Sequence, residues 1–504
     1  MSTTGDENVV QIDKARGRRS ETPNVEEPQE TELERQTIAA QLVTMAEQSY
    51  TFGRTAQDDV YGVAKGSHVA RLLRGSGSLR QDLAGRYWDQ HHKVAGAQQL
   101  TDALTVIEAK ALRAQPVDIH VRVAMVGTTL WLDLGDESER AVRIMPGHWE
   151  ITTQCPVLFN RTKLTQAMPE PDRSGRIGSL WRVLNVSKRD QPLILAWLIS
   201  TWLLVDRPCP ILGLFGEQGT AKTTAGRYLS ALVDPSAAEV RKPPKDEDAW
   251  VSAAVSSRVI AIDNLSHISA TMSDTYCRSV TGDADVRRRL YTDSEPEVFR
   301  LKKAILMTGI DLGALRGDFA ERLLRVELDT IPDERRKTEE SLAVEWATAY
   351  PKILGALLTI TCTVMKHLPQ VRLPKKPRMA DFAKILGALD IMQPKGKVLD
   401  LYLSQLDDLA ADSIAGDPFI TAMQSQIGSS FKGTSQRLFD LVDFEGFRAP
   451  KGWPVNARSL TGRLKKSAPS MRKVGWTVEK HDRGGRDHKT TWTIRPPHET
   501  EVRK

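Results

Sequence analysis

The chain has 504 residues, of which 40% are hydrophobic and 27% charged, and its formal net charge is +6. This length suits two to four domains, and the composition is that of a globular protein rather than a fibrous or wholly disordered one. The four cysteines form no CxxC pair, which argues against a zinc ribbon and favours a reducing compartment.

The sequence predicts no signal peptide and no membrane span. The first residues, MSTTGDENVV, are polar and acidic, unlike a secretory leader. The most apolar run, 193–205, lies between Asp190 and Asp206 and is too short to cross a bilayer, so it predicts a buried helix. We therefore expect a cytoplasmic protein without a lipid anchor.

The N-terminal part is predicted to be a tail followed by a mixed domain. Residues 1–37 are polar and charged, which is typical of a disordered tail. Within 38–173, TIAAQLVTMAEQ and ALTVIEAKALRAQ have helical spacing, whereas VDIHVRVAMVGTTLWLDLGD alternates as in a β-hairpin. A Pro/Gly-rich linker, MPEPDRSGRIG, closes the region, so 38–173 is predicted to form an α+β domain.

Strands and helices alternate over the next segment, 174–333. PILGLFG, SRVIAIDN and KKAILMTGI are apolar strand candidates, and AKTTAGRYLSALV is a helix candidate. Alternation of this kind predicts a parallel α/β sheet. Residues 334–429 are predicted to be mostly helical, with a break at LPQVRLPKKPR.

A phosphate-binding loop is predicted between the first of these strands and its helix. The sequence fits the Gly-x4-Gly-Lys-Thr pattern except at one position, and an apolar strand enters it while a helix leaves it. Glycines let backbone N–H groups curl round phosphate oxygens, and the helix N-terminus adds positive potential. The predicted nucleotide-binding residues are Gly216, Glu217, Gln218, Gly219, Thr220, Ala221, Lys222, Thr223 and Thr224.

Two of these residues have specific expected roles. Lys222 would neutralise the β- and γ-phosphates of ATP, and the Thr223 hydroxyl would ligate Mg²⁺. Ala221 replaces the usual glycine, a change that costs little if the position is already helical. A chance Gly/Lys turn at a helix start is the alternative, and the flanking strand and helix disfavour it.

A second part of the same site is predicted at the end of the next apolar strand. VIAIDN places Asp263 after four apolar residues, where a carboxylate would hold Mg²⁺ through water. Asn264 stands where many such ATPases have a second carboxylate that activates water, so no catalytic base is assigned. A strand that simply ends in a turn aspartate is the alternative interpretation.

The segment CRSVTGDADVRRRLYTDSEPEVFRLKKAILMTGID resembles the superfamily-3 helicases, especially phage, plasmid and poxvirus-type primase-helicases. The resemblance aligns Thr308 with the family's sensor asparagine. It also implies that Arg287, Arg288 and Arg289 belong to a pore hairpin that grips single-stranded DNA. The alternative for these three arginines is ordinary surface charge. GDFAERLLRVEL resembles the arginine-finger segment, with Arg322 the first choice and Arg325 the second. A salt-bridged helix residue is the alternative for Arg322. The positions that carry the resemblance are Arg278, Thr281, Gly282, Asp283, Arg287–Arg289, Phe299, Lys302 or Lys303, and AILMTG.

The chain as a whole, from about residue 45 to 495, looks like the ATP-binding replication proteins of actinobacterial phages, plasmids and integrated elements. The features that carry this resemblance are GEQG-x-AK, IDNLS, RxLYTD and PRMADF at 377–382. The phosphate-binding loop, with alanine before its lysine, is also similar to that of minichromosome maintenance helicases. This resemblance implies an AAA+-like ATPase that uses ATP and Mg²⁺, assembles into a homo-hexamer or similar ring, and works in a bacterial host cytosol.

The C-terminal module, 430–497, is predicted to be a winged helix, because helices are followed by a β-hairpin around a Gly-Gly turn; 498–504 is a second tail. Twelve basic and three acidic side chains between Lys451 and Arg495 give this stretch a charge of +9, which favours DNA phosphates as partners. A solvated charged face or a protein-docking module is the alternative. The predicted contacts are Arg463, Lys465 and Lys466 on a recognition helix and Arg483 and Arg486 on the wing.

The fold class predicted for the chain is therefore α/β: a P-loop AAA+-like ATPase with an N-terminal α+β domain and a C-terminal winged helix. The function predicted is an ATP-driven DNA helicase or replication initiator of a phage or mobile element. A DNA-binding ATPase regulator that never unwinds is the first alternative, and a primase-helicase is the second. Asp133 and Asp136 lack the Asp-x-Asp spacing of a two-metal primase site and predict a turn.

Overall fold

The computed structural model describes residues 37–73, 78–282, 284–288, 296–313, 315–393, 396–444, 449–450, 453–482 and 490–497. The predicted tails, 1–37 and 498–504, lie outside the described residues except for Thr37. Arg289, Arg483 and Arg486 also lie outside them, and only the backbone is described for Arg287 and Arg288.

In the first part of the chain, the described residues form two sheets and three helices. The helix predicted at its start begins at a threonine cap, since the Thr37 side chain accepts a hydrogen bond from Ala40 N. Its elements are α1 (Ile38–Ser49), β1 (Tyr50–Arg54), β2 (Val60–Ala64), β3 (Val69–Leu72), α2 (Leu79–His91), α3 (Ala97–Ala111), β4 (Ile119–His120), β5 (Val123–Val126), β6 (Thr129–Asp133), β7 (Ala141–Met145), β8 (His148–Thr152) and β9 (Leu158–Asn160).

The two N-terminal sheets belong to different hydrophobic cores. The sheet ordered β1-β2-β3-β9-β4 accompanies α1–α3, whose apolar faces form a core of their own. In the β5-β6-β7-β8 meander, Leu130 and Leu132 face the core of the rest of the protein, whereas Trp131 between them faces β9. Alternate side chains of a strand point to opposite faces, so this sheet is covered on both sides.

The central region contains the predicted parallel sheet. Its order is β11-β14-β10-β15 and all three neighbouring pairs are parallel, which confirms the strands expected at PILGLFG, SRVIAIDN and KKAILMTGI. Strands buried on both faces read as continuous apolar runs, which is why these three were visible. The elements are α4 (Leu180–Val183), α5 (Gln191–Leu203), β10 (Ile211–Phe215), α6 (Lys222–Val233), α7 (Glu247–Val255), β11 (Val259–Ile262), α8 (Ala270–Thr281), β12 (Ala284–Arg288), β13 (Pro296–Arg300), β14 (Ala304–Thr308), α9 (Gly317–Ala320) and β15 (Leu323–Glu327).

The helical segment that follows completes the central core. It consists of α10 (Glu339–His367), α11 (Ala380–Met392) and α12 (Val398–Ala415), with the predicted break between α10 and α11. By length and composition alone α10 could cross a membrane, but 61% of its most apolar window is buried inside the protein, as in a core helix.

The packing groups the chain differently from the predicted boundaries at 173 and 333. A single apolar core contains residues of the β5–β8 sheet, the parallel sheet and α10–α12. The β5–β8 sheet is fixed to α10 by two hydrogen bonds, from Trp149 Nε1 to Thr359 Oγ1 at 3.1 Å and from Gly147 N to the Cys362 carbonyl at 2.9 Å. The sequence missed this grouping because the contacts join residues about two hundred positions apart.

The C-terminal module has its own apolar core. It contains α13 (Pro418–Gln426), β16 (Phe431–Thr434), α14 (Ser435–Leu441), α15 (Ala457–Lys473), β17 (Thr477–Asp482) and β18 (Thr490–Arg495). The sheet is ordered β16-β18-β17 and antiparallel, so the predicted hairpin gains a third strand. The helix α15 is continuous through Pro469, because Leu460, Leu464 and Met471 lie on one buried face.

A buried ion pair links the N-terminal part to the parallel sheet. Asp234, 6% exposed, accepts a hydrogen bond from Arg122 Nε at 3.0 Å. Its second oxygen accepts from the backbone N–H groups of Arg258 and Val259 at 2.7 and 3.1 Å, where β11 begins. The carboxylate therefore compensates both the charge of Arg122, itself 3% exposed, and two buried amides.

We expect Asp234→Ala to lower the free energy of unfolding by about 3–5 kcal/mol, because it leaves the Arg122 charge buried and unpaired. Urea unfolding of the full chain, followed by circular dichroism, measures the loss. The control is Glu239→Gln, which removes an exposed ion pair with Arg227 at 3.6 Å and should change stability by less than about 1 kcal/mol. Equal small losses in both variants would contradict a structural role for the Asp234 pair.

Candidate nucleotide-binding site

The loop between β10 and α6 has a backbone shape that depends on its glycines. Gly216 and Gly219 have φ values of +145° and +80°, a range that side chains rarely tolerate. A Cβ on Gly216 would also lie 2.6 Å from the Leu328 carbonyl oxygen. Glu217 and Gln218 are exposed at the tip of the loop, whereas Thr220 is buried and its hydroxyl donates to the Glu217 carbonyl at 3.0 Å.

The condition under which alanine at position 221 would cost little, a helical backbone, is not met. Ala221 precedes α6 with φ +61° and ψ +32°, in the left-handed region. An L side chain there meets its own backbone, which explains physically why loops of this pattern usually carry glycine at this point.

Lys222 is the first residue of α6 and its side chain folds back over the loop. Its Nζ donates to the Gly216 carbonyl at 2.8 Å, to the Glu217 carbonyl, and to Thr220 Oγ1 at 3.3 Å. Burial lowers the pKa of Lys222, and the nearby Asp263 carboxylate opposes this effect. The ammonium is thus held against the backbone of the loop, where it would face an anion bound there.

Two predicted site residues converge on the carboxylate of a third, Asp263. Asp263 Oδ1 accepts hydrogen bonds from Thr223 Oγ1 at 2.9 Å and from Thr308 Oγ1 at 2.6 Å. Thr223 lies in the first turn of α6, beside Thr224, while Thr308 ends β14, the strand between β10 and β11. The parallel sheet brings these groups together because its strands all end at the same edge.

The position of Thr308 differs from that of an exposed sensor. It is 1% exposed, and its hydroxyl oxygen accepts from Asn264 N at 3.0 Å while its proton goes to Asp263. Its hydroxyl therefore orients the Asp263 carboxylate. Asn264 follows with φ +57°, a conformation that asparagine tolerates better than most residues, and it is exposed beside the site.

The arrangement can accept a phosphate chain and a divalent cation. Anions bind readily where backbone N–H groups meet a helix N-terminus, and Lys222 adds a full positive charge. The Thr223 hydroxyl and the Asp263 carboxylate are hard oxygen donors, which suit Mg²⁺ retaining several of its waters. The donor set thus fits the predicted ATP and Mg²⁺.

Two residues at this site were missed by the sequence. Asn185 Nδ2 donates to the Thr220 carbonyl at 3.4 Å and to the Asp329 carbonyl, so it joins the loop to the segment after β15. Arg336 Nη2 lies 3.2 Å from where a Cβ on Gly219 would be, so its guanidinium covers the tip of the loop. Neither residue belongs to a local motif, and long-range packing alone brings them to the loop.

The predicted arginine finger lies on another face. Arg322 is 5% exposed and its Nη1 donates to the Asp318 carbonyl at 2.6 Å, four residues back in the chain. Arg325, the second choice, lies in β15 and pairs with Glu327 at 2.6 Å. A role between subunits remains a prediction for both residues.

The predicted DNA contacts on α15 are not equivalent. Lys465 and Lys466 are exposed, whereas the Arg463 guanidinium pairs with Asp417 at 2.7 Å and lies 5.6 Å from the centre of the Phe419 ring. Arg463 thus has a packing role within the module. Arg287 and Arg288 lie on β12, which pairs antiparallel with β13 as expected for a hairpin.

The carboxylates considered for a primase site are engaged by arginines. Asp133, 1% exposed, pairs with Arg161 at 2.7 Å, and Asp136 pairs with Arg140 at 2.6 Å. Both pairs stabilise the turn after β6, as the sequence indicated for this segment.

Two family models match the chain. Residues 177–412 match the actinomycete integrative conjugative element replication protein, and residues 419–502 match the C-terminal domain of the same protein, RepA. Together the matches span more than half of the chain. The protein therefore belongs to the replication proteins of actinomycete integrative conjugative elements, which agrees with the mobile-element replication protein predicted from the sequence.

Solved structures similar to the chain include two of the NrS-1 C-terminal region. The A form of its apo structure is 12% identical with a TM-score of 0.38, and the match covers 90% of this chain and 98% of that one. The apo structure of residues 305–718 is 10% identical with a TM-score of 0.37, covering 91% and 100%. No protein of curated function matches the chain.

We expect Ala221→Gly to raise the free energy of unfolding by up to about 1 kcal/mol, because relief of a left-handed alanine exceeds the added entropy of the unfolded chain. Urea titration of both proteins measures the difference. The control, Ala411→Gly, changes an exposed alanine inside α12 and should instead lose about 1 kcal/mol. Equal losses at both positions would contradict the left-handed conformation of Ala221.

Proposed function

We propose that this replication protein is an ATP-hydrolysing DNA helicase or replication initiator, with an AAA+-like P-loop ATPase of the superfamily-3 type. The observation that carries the proposal is the convergence of Lys222, Thr223 and Asp263 at one edge of a parallel sheet. A lysine that folds over a glycine loop, beside a hydroxyl bonded to a carboxylate, supports a site for phosphate and a divalent cation. The family membership supplies the setting, replication of a mobile element.

The chain's own residues would do most of the work of hydrolysis by positioning charge. The backbone N–H groups of 216–222 would hold the β- and γ-phosphates, and Lys222 would neutralise charge that builds up in the transition state. Thr223 and Asp263 would hold Mg²⁺, which neutralises phosphate charge when bound. Thr308 would keep the Asp263 carboxylate aimed at that ion through its 2.6 Å hydrogen bond.

The residue that follows Asp263 limits how water is activated. The amide of Asn264 can orient a water molecule by hydrogen bonding, but it cannot take up a proton near pH 7. Phosphoryl transfer passes through a loose transition state, so orientation of water matters more than full deprotonation. An asparagine at this point is therefore compatible with hydrolysis.

We propose two DNA contacts for the same protein. A winged helix would bind duplex DNA through α15, whose Lys465 and Lys466 are exposed. The β12–β13 hairpin, which carries Arg287 and Arg288, would line the pore of a homo-hexamer or similar ring and hold a single strand. Arg322 would act as the finger toward the neighbouring subunit's nucleotide.

We expect Lys222→Ala to reduce ATP hydrolysis at least about 100-fold, because one lost transition-state contact typically costs several kcal/mol. Asp263→Ala should reduce ATP hydrolysis to a similar extent, because it removes a proposed ligand of Mg²⁺. The control is Lys376→Ala, an exposed lysine outside the site, which should retain the wild-type rate. Phosphate release with ATP and Mg²⁺ is the measurement.

The same variants separate the proposed activities. Unwinding of a forked duplex by the wild type, lost in Lys222→Ala, is expected of a helicase. If the wild type hydrolyses ATP no faster than Lys222→Ala, the proposed ATPase activity is refuted. Hydrolysis without unwinding would instead favour a DNA-binding regulator.

We expect charge reversal at Lys465 and Lys466 to flatten the salt dependence of duplex binding. Each phosphate contact contributes about 0.9 to the slope of log K against log salt, so losing two contacts should reduce the slope by roughly 1.8. Fluorescence anisotropy over a salt series measures it. The control is charge reversal at Lys375 and Lys376, which changes the total charge by the same amount and should leave the slope near that of the wild type. Equal slopes for all three proteins would contradict duplex binding by α15.

A further inference from the structure

The C-terminal module is joined to the central region at the segment that carries Arg322. Glu321, which follows α9 directly, accepts a hydrogen bond from Lys473 Nζ of α15 at 2.6 Å and from Arg378 Nη1 at 3.2 Å. Its carboxylate thus bridges two cations from opposite sides, one in the segment before α11 and one at the end of α15. Glu321 and Arg322 are adjacent in the chain.

The junction is packed as well as charged. A Cβ on Gly317, the first residue of α9, would lie 2.6 Å from Ser470 Oγ of α15. Ser413 Oγ of α12 donates to the Leu315 carbonyl at 2.8 Å, just before α9. The segment from 315 to 321 is therefore held against both helices, and a displacement of α15 cannot leave it unchanged.

Arg322 is held mainly by this same segment. Its Nη1 bonds to the Asp318 carbonyl, and its buried Nε has no hydrogen-bond partner among the described residues. The groove around it is lined by carboxylates of Glu247, Asp274 and Asp318, which favour a cation there. The direction of the guanidinium consequently follows the position of α9 and Glu321.

The two ends of α15 face different partners. Arg458 and Lys465 are exposed in its N-terminal half and middle, whereas Ser470 and Lys473 contact the α9 segment. The helix is continuous between these two ends, and Leu460, Leu464 and Met471 hold both of its halves to the core of the module. A duplex seated on the exposed basic side chains would therefore act on the Arg322 segment through the far end of the same helix.

We propose that Glu321 is a positioning residue for Arg322, which couples duplex DNA bound on α15 to the rate of ATP hydrolysis. The proposal rests on the proposed function and names how its ATPase site is regulated. Glu321 touches neither nucleotide nor DNA: it acts by holding the Arg322 segment to α15. Lys473 and Arg378 are partly exposed, at 30% and 46% of their side chains, so variants at this junction have access to water and should fold.

The charges at the junction agree with this role. Burial raises the pKa of Glu321, but the hydrogen bonds and positive charges of Lys473 and Arg378 outweigh burial and bring it below its usual value. The carboxylate is thus ionised at neutral pH, and its interaction with both cations is fully present there.

A charge swap tests the coupling in the full chain. Glu321→Lys places a cation beside both Lys473 and Arg378, and Lys473→Glu places two carboxylates together; the double variant restores the opposite pair between positions 321 and 473. The readout is ATP hydrolysis without DNA and with saturating duplex, together with kcat, KM for ATP and thermal unfolding. The control is Glu47→Lys, which breaks the exposed pair of Glu47 with Lys110 far from the junction.

We expect Glu321→Lys to reduce stimulation by duplex DNA at least about fivefold, the lower end of couplings between sites, by a lower kcat with little change in KM. The double variant should regain at least half of the stimulation, and Glu47→Lys should match wild type. A merely structural defect would instead lower the unfolding temperature and would reduce the hydrolysis rate without DNA together with the stimulated rate.

Three results would overturn the proposal. These are wild-type stimulation in Glu321→Lys, no rescue in the double variant, or no effect of duplex on the wild-type rate. All three leave the proposed ATPase intact. Absence of hydrolysis in the wild type is different, since it would refute the proposed function itself.

Discussion

The carboxylate of Asp263 is the point on which the candidate site depends. It receives the Thr223 hydroxyl from the helix after the loop and the Thr308 hydroxyl from the neighbouring strand. Thr308 in turn accepts the backbone N–H of Asn264, which fixes the turn where β11 ends. One oxygen therefore joins the helix after the loop to the end of β14, and Thr308 extends the connection to the turn after β11. In the proposed ATPase, such preorganisation would let charge stabilisation act without rearrangement during the reaction.

Much of this site could be predicted because its signals are local. The loop residues 216–223 are contiguous, and Asp263 ends an apolar strand whose length and composition mark it as buried. The role of Thr308 needed the structure, since only pairing of β14 with β10 and β11 places its hydroxyl on Asp263. The left-handed backbone of Ala221 was also missed, because alanine gives no signal for positive φ.

The fold was predictable element by element and less so in its grouping. Apolar patterns located the buried strands, but such patterns show only that a face is buried and do not show which element covers it. The continuous α15 shows the same limit, since a proline inside a helix normally predicts its end. Here the buried face on both sides of Pro469 outweighs the lost backbone hydrogen bond. The basic charge of α15 was equally ambiguous: Arg463 pairs with Asp417, while Lys465 and Lys466 extend outward.

The covering of the central core by the β5–β8 sheet has a consequence for dissecting the protein. The family match begins at residue 177, yet Leu130, Leu132 and Trp149 belong to the same core as the parallel sheet, and Arg122 compensates Asp234. A fragment cut at 177 would expose that apolar surface to water and strand a buried carboxylate without its cation. The smallest autonomous folding unit around the site therefore starts upstream of Arg122, and homology alone would place the cut through the middle of a core.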